Sequence, residues 1–317
     1  MARRSPAKSK RKSAGFRPAK LFLLLNLLLW GAIGGWYLVQ PAPRQQEVRL
    51  LVGNLLDSRK QVSAFDVAWD LWQFYAAADF VGATPAPGDR THAYAGNPVA
   101  PAGTVRLLAN RGYLAGYSDA LGNPLWVAYR MKDTDKLDSP PRPDEFRVDP
   151  RTAARIEPSV YSRSGYDRGH LAPNYAIATR YGREAQEETF LMSNITPQKH
   201  GLNAGLWKEL EQKIATAYPA RFGEVWVLAG PVFGPQPLRL QRRVAVPEAC
   251  YMIVVDESEG RVRAQAFLFP QDAAGASLEP YLTTIDEIER LTGLDFLAAL
   301  PDAAEAALES RRASRVW

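Results

Sequence analysis

The chain has 317 residues, and 46% of them are hydrophobic, so it can bury a core of ordinary size and is not disordered throughout. Its formal net charge of +5 comes from the first 20 residues, which contain eight Lys and Arg and no acid. In the rest of the chain, 31 basic residues face 34 acidic ones, a net charge of about −3. That body would hold a polyanion only through a local basic cluster or a metal ion, because its overall field is slightly repulsive.

An uncharged apolar run occupies residues 21–39. About 20 apolar residues make one helical crossing of a bilayer, so the run predicts a single-pass membrane anchor. The basic residues before it predict a cytoplasmic tail at residues 1–20, an inner-membrane location, and a body in the periplasm or another extracytoplasmic space. Two alternatives stay open, a cleaved signal peptide that would release a secreted protein and a buried core helix.

The region after the apolar run contains two further patterns. Residues 47–82 have apolar positions at mixed helical spacing, which predicts one or two amphipathic helices. Residues 82–103 are rich in Pro, Gly and Ala, which predicts a linker or a surface wrap with a domain boundary. The chain is thereby divided into a tail (1–20), an anchor (21–39), a helical region with linker (40–103) and a C-terminal domain (104–317).

The C-terminal domain alternates between strand and helix patterns, which predicts an α+β fold around a sheet. The strand patterns cover residues 112–117, 125–131, 224–228, 244–255 and 261–269. The helix patterns cover residues 203–218, 278–292 and 302–312, and Thr284 is a candidate N-cap if the second of these helices starts late. Cys250, the only cysteine, lies in an apolar strand pattern and is predicted to be an inert buried thiol.

Only three histidines occur in the sequence, which narrows the search for a general base that works near neutral pH. His170 ends an Asp-Arg-Gly-His run, in which a carboxylate, a guanidinium and an imidazole lie beside a glycine that permits close approach. A salt-bridged surface turn would have the same sequence, so the run alone decides little. His92 lies in the predicted linker, and His200 lies in the turn before a helix, where contact with a substrate stays open.

Two segments downstream of His170 give that run its context. Residues 190–198 form a strand-like run that can pair with the His170 strand, and the next helix pattern places Asn203 and Glu211 a little over two turns apart. Strand, strand and helix thus present one polar corner. An amide oxygen such as that of Asn203 suits a hard cation such as Mg²⁺, and a carboxylate such as that of Glu211 can orient the waters of the cation.

These three segments resemble the motifs of the DNA/RNA non-specific endonucleases. The shared features are the Asp-Arg-Gly-His strand end, a Ser-Asn-Ile-Thr-Pro-Gln run and a Leu-Asn-x-Gly-x-Trp-x-x-Leu-Glu helix. The resemblance spans roughly residues 107–300. It implies a ββα-metal, or His-Me finger, nuclease fold with a central antiparallel sheet around one Mg²⁺, with Mn²⁺ as an alternative cation.

The resemblance also implies roles for individual residues. His170 corresponds to the general base, Asn203 to the direct protein ligand of the metal, and Glu211 to a group in the outer shell of the metal. Arg168 corresponds to a contact with the phosphate or the transition state. Asp167 either supports the site structurally, by bracing the hairpin or Arg168, or takes part in catalysis, and the structural role is favoured.

Three more positions are candidates for substrate contact. The family has an arginine upstream of the Asp-Arg-Gly-His run that stabilises the leaving charge, and Arg142 is the first choice for it and Arg147 the second. A solvated surface arginine is the alternative for either one. Asn194 is predicted to contact the substrate or, alternatively, to brace its loop through backbone hydrogen bonds.

The implied function is that of a membrane-anchored, Mg²⁺-dependent endonuclease that cleaves DNA and RNA and leaves 5′-phosphates. Contacts to the phosphate backbone alone would give weak sequence preference. Two other functions stay open, a non-catalytic nucleic-acid or envelope-binding protein on the same fold and a metal-dependent phosphodiesterase with another substrate. The expected partners are DNA or RNA and, through residues 21–39, a membrane, and a homodimer stays open as well.

Overall fold

The computed structural model describes residues 18–57, 60, 62–76, 79–83, 92–134, 137–258 and 260–317. Contacts divide the chain into two compact units, Met1–Leu50 and Leu51–Trp317. The first unit contains helix α1 (Pro18–Leu38), and helix α2 (Ala42–Leu56) spans the division. The segment Lys20–Leu38 of α1 is long and apolar enough to cross a membrane, judged by length and composition. The prediction of one apolar N-terminal helix is confirmed.

The second unit contains the remaining helices and all the strands of the described residues. The helices are α3 (Ala64–Ala76), α4 (Asn174–Glu188), α5 (His200–Ala204), α6 (Leu206–Ala215), α7 (Ala217–Phe222), α8 (Ile285–Thr292) and α9 (Asp302–Glu309). The strands are β1 (Val81–Gly82), β2 (Arg106–Ala109), β3 (Leu114–Ser118), β4 (Asn123–Lys132), β5 (Asp167–His170), β6 (Ile195–Gln198), β7 (Glu224–Val232), β8 (Arg239–Leu240), β9 (Val244–Ala245), β10 (Ala249–Ser258), β11 (Arg261–Pro270) and β12 (Leu282–Thr283).

A central antiparallel sheet organises this unit. Within the described residues it has eight strands, in the order β1-β11-β10-β7-β4-β3-β2 with β12 beside β11. Strand β10 shows why the sheet lies inside: Cys250 and Met252 face one apolar cluster, whereas Tyr251 and Ile253 face another. Successive side chains of a strand point to opposite faces, so a strand that is apolar throughout needs cover on both sides. The predicted α+β fold with a central antiparallel sheet is confirmed.

Helices cover the two faces of the sheet. Helices α4 and α6 contribute Ile177 and Trp207 to one cluster, and α8 and α9 contribute Ile288 and Leu308 to the other. Strands β5 and β6 pair with each other and form a hairpin that is separate from the central sheet. The hairpin and α6 meet on the same side of the central sheet, because Leu171, which follows β5, and Trp207 of α6 belong to the same apolar cluster.

Several predicted elements have different limits in the structure, each for a local reason. The predicted strand 244–255 is two strands, because Pro247 lacks an N–H for the sheet and β9 pairs with β8 instead. The predicted helix 203–218 is three helices, with breaks at Gly205 and Thr216, where the backbone angles are not helical. A side chain at Gly205 would place its Cβ 2.4 Å from the carbonyl oxygen of Gly201.

Helix limits elsewhere follow from caps and polar sequence. Helix α8 starts late, and Thr284 caps it, because its hydroxyl accepts a hydrogen bond from the Glu287 N–H at 3.1 Å. This confirms the late start. Helix α9 ends at Glu309, three residues earlier than predicted. The sequence analysis missed α4, whose many polar residues and non-helical Gly182 weaken its apolar pattern.

Part of the predicted linker is packed. Residues 84–91 lie outside the described residues, but Ala93, Tyr94 and Ala95 are buried in the core, and Tyr94 contacts Trp226 at a ring distance of 5.1 Å. This portion is therefore not a free linker. The predicted domain limits stay a prediction.

Helix α3 is attached to α7 by a buried ion pair. Arg221 of α7 donates from Nε and Nη2 to the two carboxylate oxygens of Asp70 at 3.0 and 2.8 Å. The side chains are 5% and 0% exposed. A second buried pair lies nearby, in which Arg263 donates to Asp256 at 2.8 Å, and burial raises the pKa of Asp256 despite that arginine. Removing one partner of such a pair leaves an uncompensated buried charge.

We therefore expect Asp70→Ala to lower the free energy of unfolding by about 3–5 kcal/mol, because Arg221 would stay buried without a counter-ion. Denaturant titration of the full chain in detergent, followed by Trp fluorescence, measures this. The matched control is Glu287→Ala, which removes an exposed ion pair with Arg290 and should cost less than about 1 kcal/mol. Equal small losses in both variants would show that the buried pair does not hold α3 in place.

Candidate active site

The β5–β6 hairpin positions the Asp-Arg-Gly-His run. In its register Asp167 lies opposite Gln198, Gly169 opposite Thr196 and His170 opposite Ile195. A Cβ at Gly169 would lie 2.1 Å from the side-chain oxygen of Gln198, so a larger residue at this position would have to displace the Gln198 side chain. The predicted pairing of the His170 strand with the downstream run is confirmed. The hairpin is fixed to β4 of the sheet, because the Thr196 hydroxyl donates to the Asn123 side-chain oxygen at 3.0 Å.

Trp207 connects the hairpin to α6. Its side chain is buried, and its indole Nε1–H contacts two acceptors, the carbonyl oxygen of His170 at 3.2 Å and Oε1 of Glu211 at 3.0 Å. Trp207 was not among the predicted site residues. Its hydrogen bonds hold the backbone of the base candidate and the carboxylate of the helix in a fixed relation.

A cleft of about 710 Å³ lies where the hairpin, α5 and α6 meet. Most of the predicted site residues line it. They are Arg142, Arg168, His170, Asn203 and Glu211. The cleft also contains Lys208, which the sequence analysis missed although it lies three residues before Glu211 and so on the same side of α6. Tyr175 and Asn174 line the wall that α4 provides.

His170 lies in an apolar and cationic environment. Its ring contacts Phe146 at 5.4 Å and Phe190 at 5.1 Å, and its buried Nε2 has no hydrogen-bond partner among the described residues. Burial, with a smaller contribution from the Arg142 charge, lowers the pKa of His170 to about 3. The imidazole is therefore neutral at neutral pH and can accept a proton.

Asp167 contacts Asn203 and not Arg168. The amide nitrogen of Asn203 donates to Oδ2 of Asp167 at 2.9 Å, and Nδ1 of His200 lies 2.8 Å from the same oxygen. Because its nitrogen is engaged by the carboxylate, the Asn203 amide keeps its oxygen for another partner. The His200 side chain is 82% exposed. Asp167 thus supports the site by orienting an amide, instead of bracing the neighbouring arginine.

Glu211 is a carboxyl group in a largely desolvated position. Burial raises its pKa to about 8, although the hydrogen bond from Trp207 and the charges of Lys208 and Arg142 act in the opposite direction. Among the described residues, no Lys or Arg nitrogen lies within 4.0 Å of this carboxylate. A carboxylate in this position is ionised most easily when a cation is close to it.

Two arginines face the cleft. Arg168 donates from Nη2 and Nε to the carbonyl oxygen of Pro158 at 2.8 and 3.2 Å, and its guanidinium carbon lies 5.5 Å from the Phe146 ring centre. The guanidinium carbon of Arg142 lies 4.9 Å from the centre of the Phe190 ring. Both cations are thus held against aromatic rings at the edge of the cleft that contains His170.

Two of the predicted substrate contacts do not line the cleft. Arg147 does not line the cleft, since its guanidinium donates to the carbonyl oxygen of Glu187 at 3.1 Å and its backbone pairs with Leu191. Asn194 is fully buried, and its amide bonds to the backbone of Ala172 and Thr189 at 2.9 to 3.0 Å. Asn194 braces its loop, which was the alternative, because no atom of its amide is left for a substrate.

Comparisons with known proteins agree with this geometry. The sequence profile of the DNA/RNA non-specific endonuclease family matches residues 91–303. The chain is 32% identical over 243 residues to a nuclease of Nostoc sp., covering 71% of this chain and 87% of that protein. It is 33% identical over 199 residues to the nuclease of Serratia marcescens, covering 59% of this chain and 73% of that protein.

The same comparisons include endonuclease G. Human mitochondrial endonuclease G is 29% identical over 212 residues, covering 62% of this chain and 70% of that protein. A crystal structure of an EndoG/EndoGI complex superposes with a TM-score of 0.55 at 24% identity, covering 62% of this chain and 86% of that chain. This second likeness concerns the fold.

The chain therefore belongs to the DNA/RNA non-specific endonuclease family. It is an enzyme that hydrolyses nucleic acids. Family membership argues against the alternative of a non-catalytic binding protein on the same fold, and the cleft that contains the neutral imidazole is the candidate active site.

The hydrogen bonds of Trp207 predict a positioning role. Trp207→Phe keeps most of the buried ring volume but removes the N–H that joins His170 and Glu211, so we expect nuclease turnover to fall by about 10- to 100-fold. Initial rates of DNA cleavage measure it, with circular dichroism to verify folding. The matched control is Trp226→Phe, an equally buried indole on the other face of the sheet, which should change the rate less than about twofold. Equal losses in both variants would contradict the positioning role.

Proposed function

We propose that this chain is a membrane-anchored endonuclease that uses one divalent cation, Mg²⁺ in the first instance and Mn²⁺ as an alternative, to cleave DNA and RNA and leave 5′-phosphates. One observation supports it most strongly. His170, Asn203 and Glu211 come from β5, α5 and α6 and line the same cleft.

The side chains in the cleft fit a hard cation. Nucleases of this family are metal-dependent. The amide oxygen of Asn203, oriented by Asp167, would be the direct protein ligand, and Glu211 would hydrogen-bond to the waters of the cation. Mg²⁺ commonly takes one or two protein groups together with substrate phosphate, which matches this small set of ligands. When bound, the cation would stabilise the negative charge that develops on the phosphate.

His170 supplies the proton transfer. Its neutral imidazole takes a proton from a water molecule while the water oxygen forms a bond to phosphorus. The bond from phosphorus to the 3′ oxygen breaks in the same reaction, and the 3′ oxygen takes a proton from solvent. Arg168 and Arg142 lie at the cleft edge, where their charges offset those of the phosphate oxygens. The products carry a 3′-hydroxyl and a 5′-phosphate.

The charge distribution suits binding to the phosphate backbone. The body of the chain carries about −3, but Arg142, Arg168 and Lys208 form a local basic cluster around the cleft. Cations that contact phosphates fix the position of a nucleic acid without reading its bases. The enzyme therefore accepts DNA and RNA with weak sequence preference.

The N-terminal helix would hold the enzyme at a membrane. We place the basic tail (1–20) in the cytoplasm, the anchor at residues 21–39, the helical region and linker at residues 40–103, and the nuclease domain (104–317) in the periplasm or a similar space. Exposed apolar side chains on α3, Phe65 and Trp72, offer a surface for a homodimer.

The catalytic proposal is tested with the full chain in detergent, incubated with plasmid DNA and with RNA. We expect cleavage with Mg²⁺, none after chelation, and a loss of about 10²- to 10⁴-fold in His170→Ala, because the general base is removed. Labelling of the product ends determines which end carries the phosphate.

The matched control is His92→Ala, which removes a buried histidine that does not line the cleft and should keep most of the activity. Full activity of folded His170→Ala, or cleavage that continues in the presence of the chelator, would refute the proposed chemistry. If the chain cleaves neither DNA nor RNA but hydrolyses a small phosphodiester, the result would favour the alternative function, a metal-dependent phosphodiesterase with another substrate.

The membrane proposal has its own test. Because about 19 apolar residues span a bilayer, we expect the chain to stay with membranes after carbonate extraction. Mass spectrometry should show an intact N-terminus. Protease added on the extracytoplasmic side should digest the nuclease domain. A soluble product whose N-terminus lies beyond residue 39 would instead show a cleaved signal peptide. The matched control replaces three leucines of α1 by Asp, which should abolish membrane retention.

A further inference from the structure

Three carboxylates converge between α8 and α9. Asp286 and Glu289 lie one turn apart on α8, and Glu309 is the last residue of α9. One carboxylate oxygen of each lies within 4.8 Å of those of the other two. None of the three lines the active-site cleft, so this acidic cluster is a separate feature of the enzyme.

Among the described residues, the cluster has no ion-pair partner. Within the described part of the chain, no Lys or Arg nitrogen lies within 4.0 Å of its carboxylates, and Arg290, the basic residue of α8, is paired with Glu287 instead. Burial and the neighbouring acids raise the pKa of Glu309 to about 9. Like charges this close repel each other unless a cation or a proton intervenes.

The burial of Glu309 is a second, independent indication that the cluster binds a ligand. The residue is only 5% exposed, and its buried Oε1 has no hydrogen-bond partner among the described residues. A buried oxygen without a partner costs free energy, and native structures rarely leave one unexplained. Asp286, by contrast, is exposed, so the cluster opens to solvent on one side.

We propose that Asp286, Glu289 and Glu309 bind a divalent cation of the size of Ca²⁺. Oxygen ligands surround Ca²⁺ at about 2.4 Å, so two oxygens on opposite sides of the ion lie about 4.8 Å apart. The three oxygens of the cluster meet that limit without rearrangement. Water would complete the shell on the side of Asp286, since Ca²⁺ takes about six to eight ligands.

Such an ion would connect helix α8 to helix α9. Glu289 already accepts a hydrogen bond from the Phe296 N–H at 2.7 Å, which fixes the turn after α8. Glu309 ends α9, which contributes Leu308 to the apolar cluster on the same face of the sheet as Ile288 of α8. The ion therefore ties α8 to the end of α9 and stabilises the layer that covers this face of the sheet.

The test uses the full chain in detergent with Asn203→Ala as background, so that the proposed catalytic cation does not contribute. We expect 1 mM Ca²⁺ to raise the Tm of this background by several degrees, about 5 °C at saturation, because the ion binds the folded state alone. Equilibrium dialysis with radioactive Ca²⁺ should give one bound ion per chain. Asp286→Asn, a change at an exposed position, should abolish both, and Glu309→Gln should do the same.

The control is Glu287→Gln, which removes the same charge from α8 outside the cluster and should keep the full Ca²⁺ effect. A background that shows no Ca²⁺-dependent rise in Tm, or a rise that Asp286→Asn retains, would overturn the proposal and assign a proton to Glu309. Either result leaves the catalytic proposal untouched, because cleavage of DNA does not enter the measurement.

Discussion

The indole N–H of Trp207 is the contact on which the active site depends. It bonds at once to the His170 backbone and to the Glu211 side chain, and so fixes the distance between a hairpin and a helix that are separate in the sequence. The rest of the site follows from this link. A hairpin free to move against α6 would separate the base from the groups that hold the cation, and a displacement of about 1 Å at a catalytic group can cost about 100-fold in rate.

A second constraint is electrostatic. The cleft is desolvated enough to keep His170 neutral and to raise the pKa of Glu211 to about 8. Both shifts have the same main cause, burial, but opposite consequences, because the imidazole loses its charged form and the carboxyl keeps its proton. The imidazole is thereby neutral at neutral pH, whereas the carboxylate is stabilised when a cation is near. Among the described residues, Arg142, Arg168 and Lys208 supply the positive charge that lines the cleft.

The sequence predicted most of this arrangement, for reasons that particular residues make clear. Gly169 and His170 were predictable because they belong to a contiguous Asp-Arg-Gly-His motif, and in the structure a larger side chain at Gly169 would meet Gln198. The sheet was predictable because its strands contain apolar runs, such as residues 249–255 of β10 and 266–269 of β11. The apolar helix at the N-terminus was predictable from its length and composition.

What the sequence did not reveal depended on long-range contacts. The amide of Asn194, for example, bonds to the backbone of Ala172, which lies 22 residues away in the sequence, on the other side of α4. The choice between Arg142 and Arg147 likewise depended on which one faces the cleft. Asp167 was expected to brace the hairpin or Arg168, or to take part in catalysis, and in the structure its carboxylate accepts a hydrogen bond from Asn203, 36 residues away. Burial and partner identity at such positions are properties of the tertiary structure.

The central claim is that the Asn203 amide binds the cation, whereas the His170 imidazole acts as the base. Electron paramagnetic resonance of Mn²⁺ tests this claim most directly. The measurement titrates Mn²⁺ into the full chain carrying Asn203→Ala or His170→Ala, in the presence of an uncleavable oligonucleotide. The account predicts that Asn203→Ala weakens cation binding at least tenfold, whereas His170→Ala binds the cation as the unaltered chain does. Unchanged binding in Asn203→Ala, or equal loss in both variants, would contradict it.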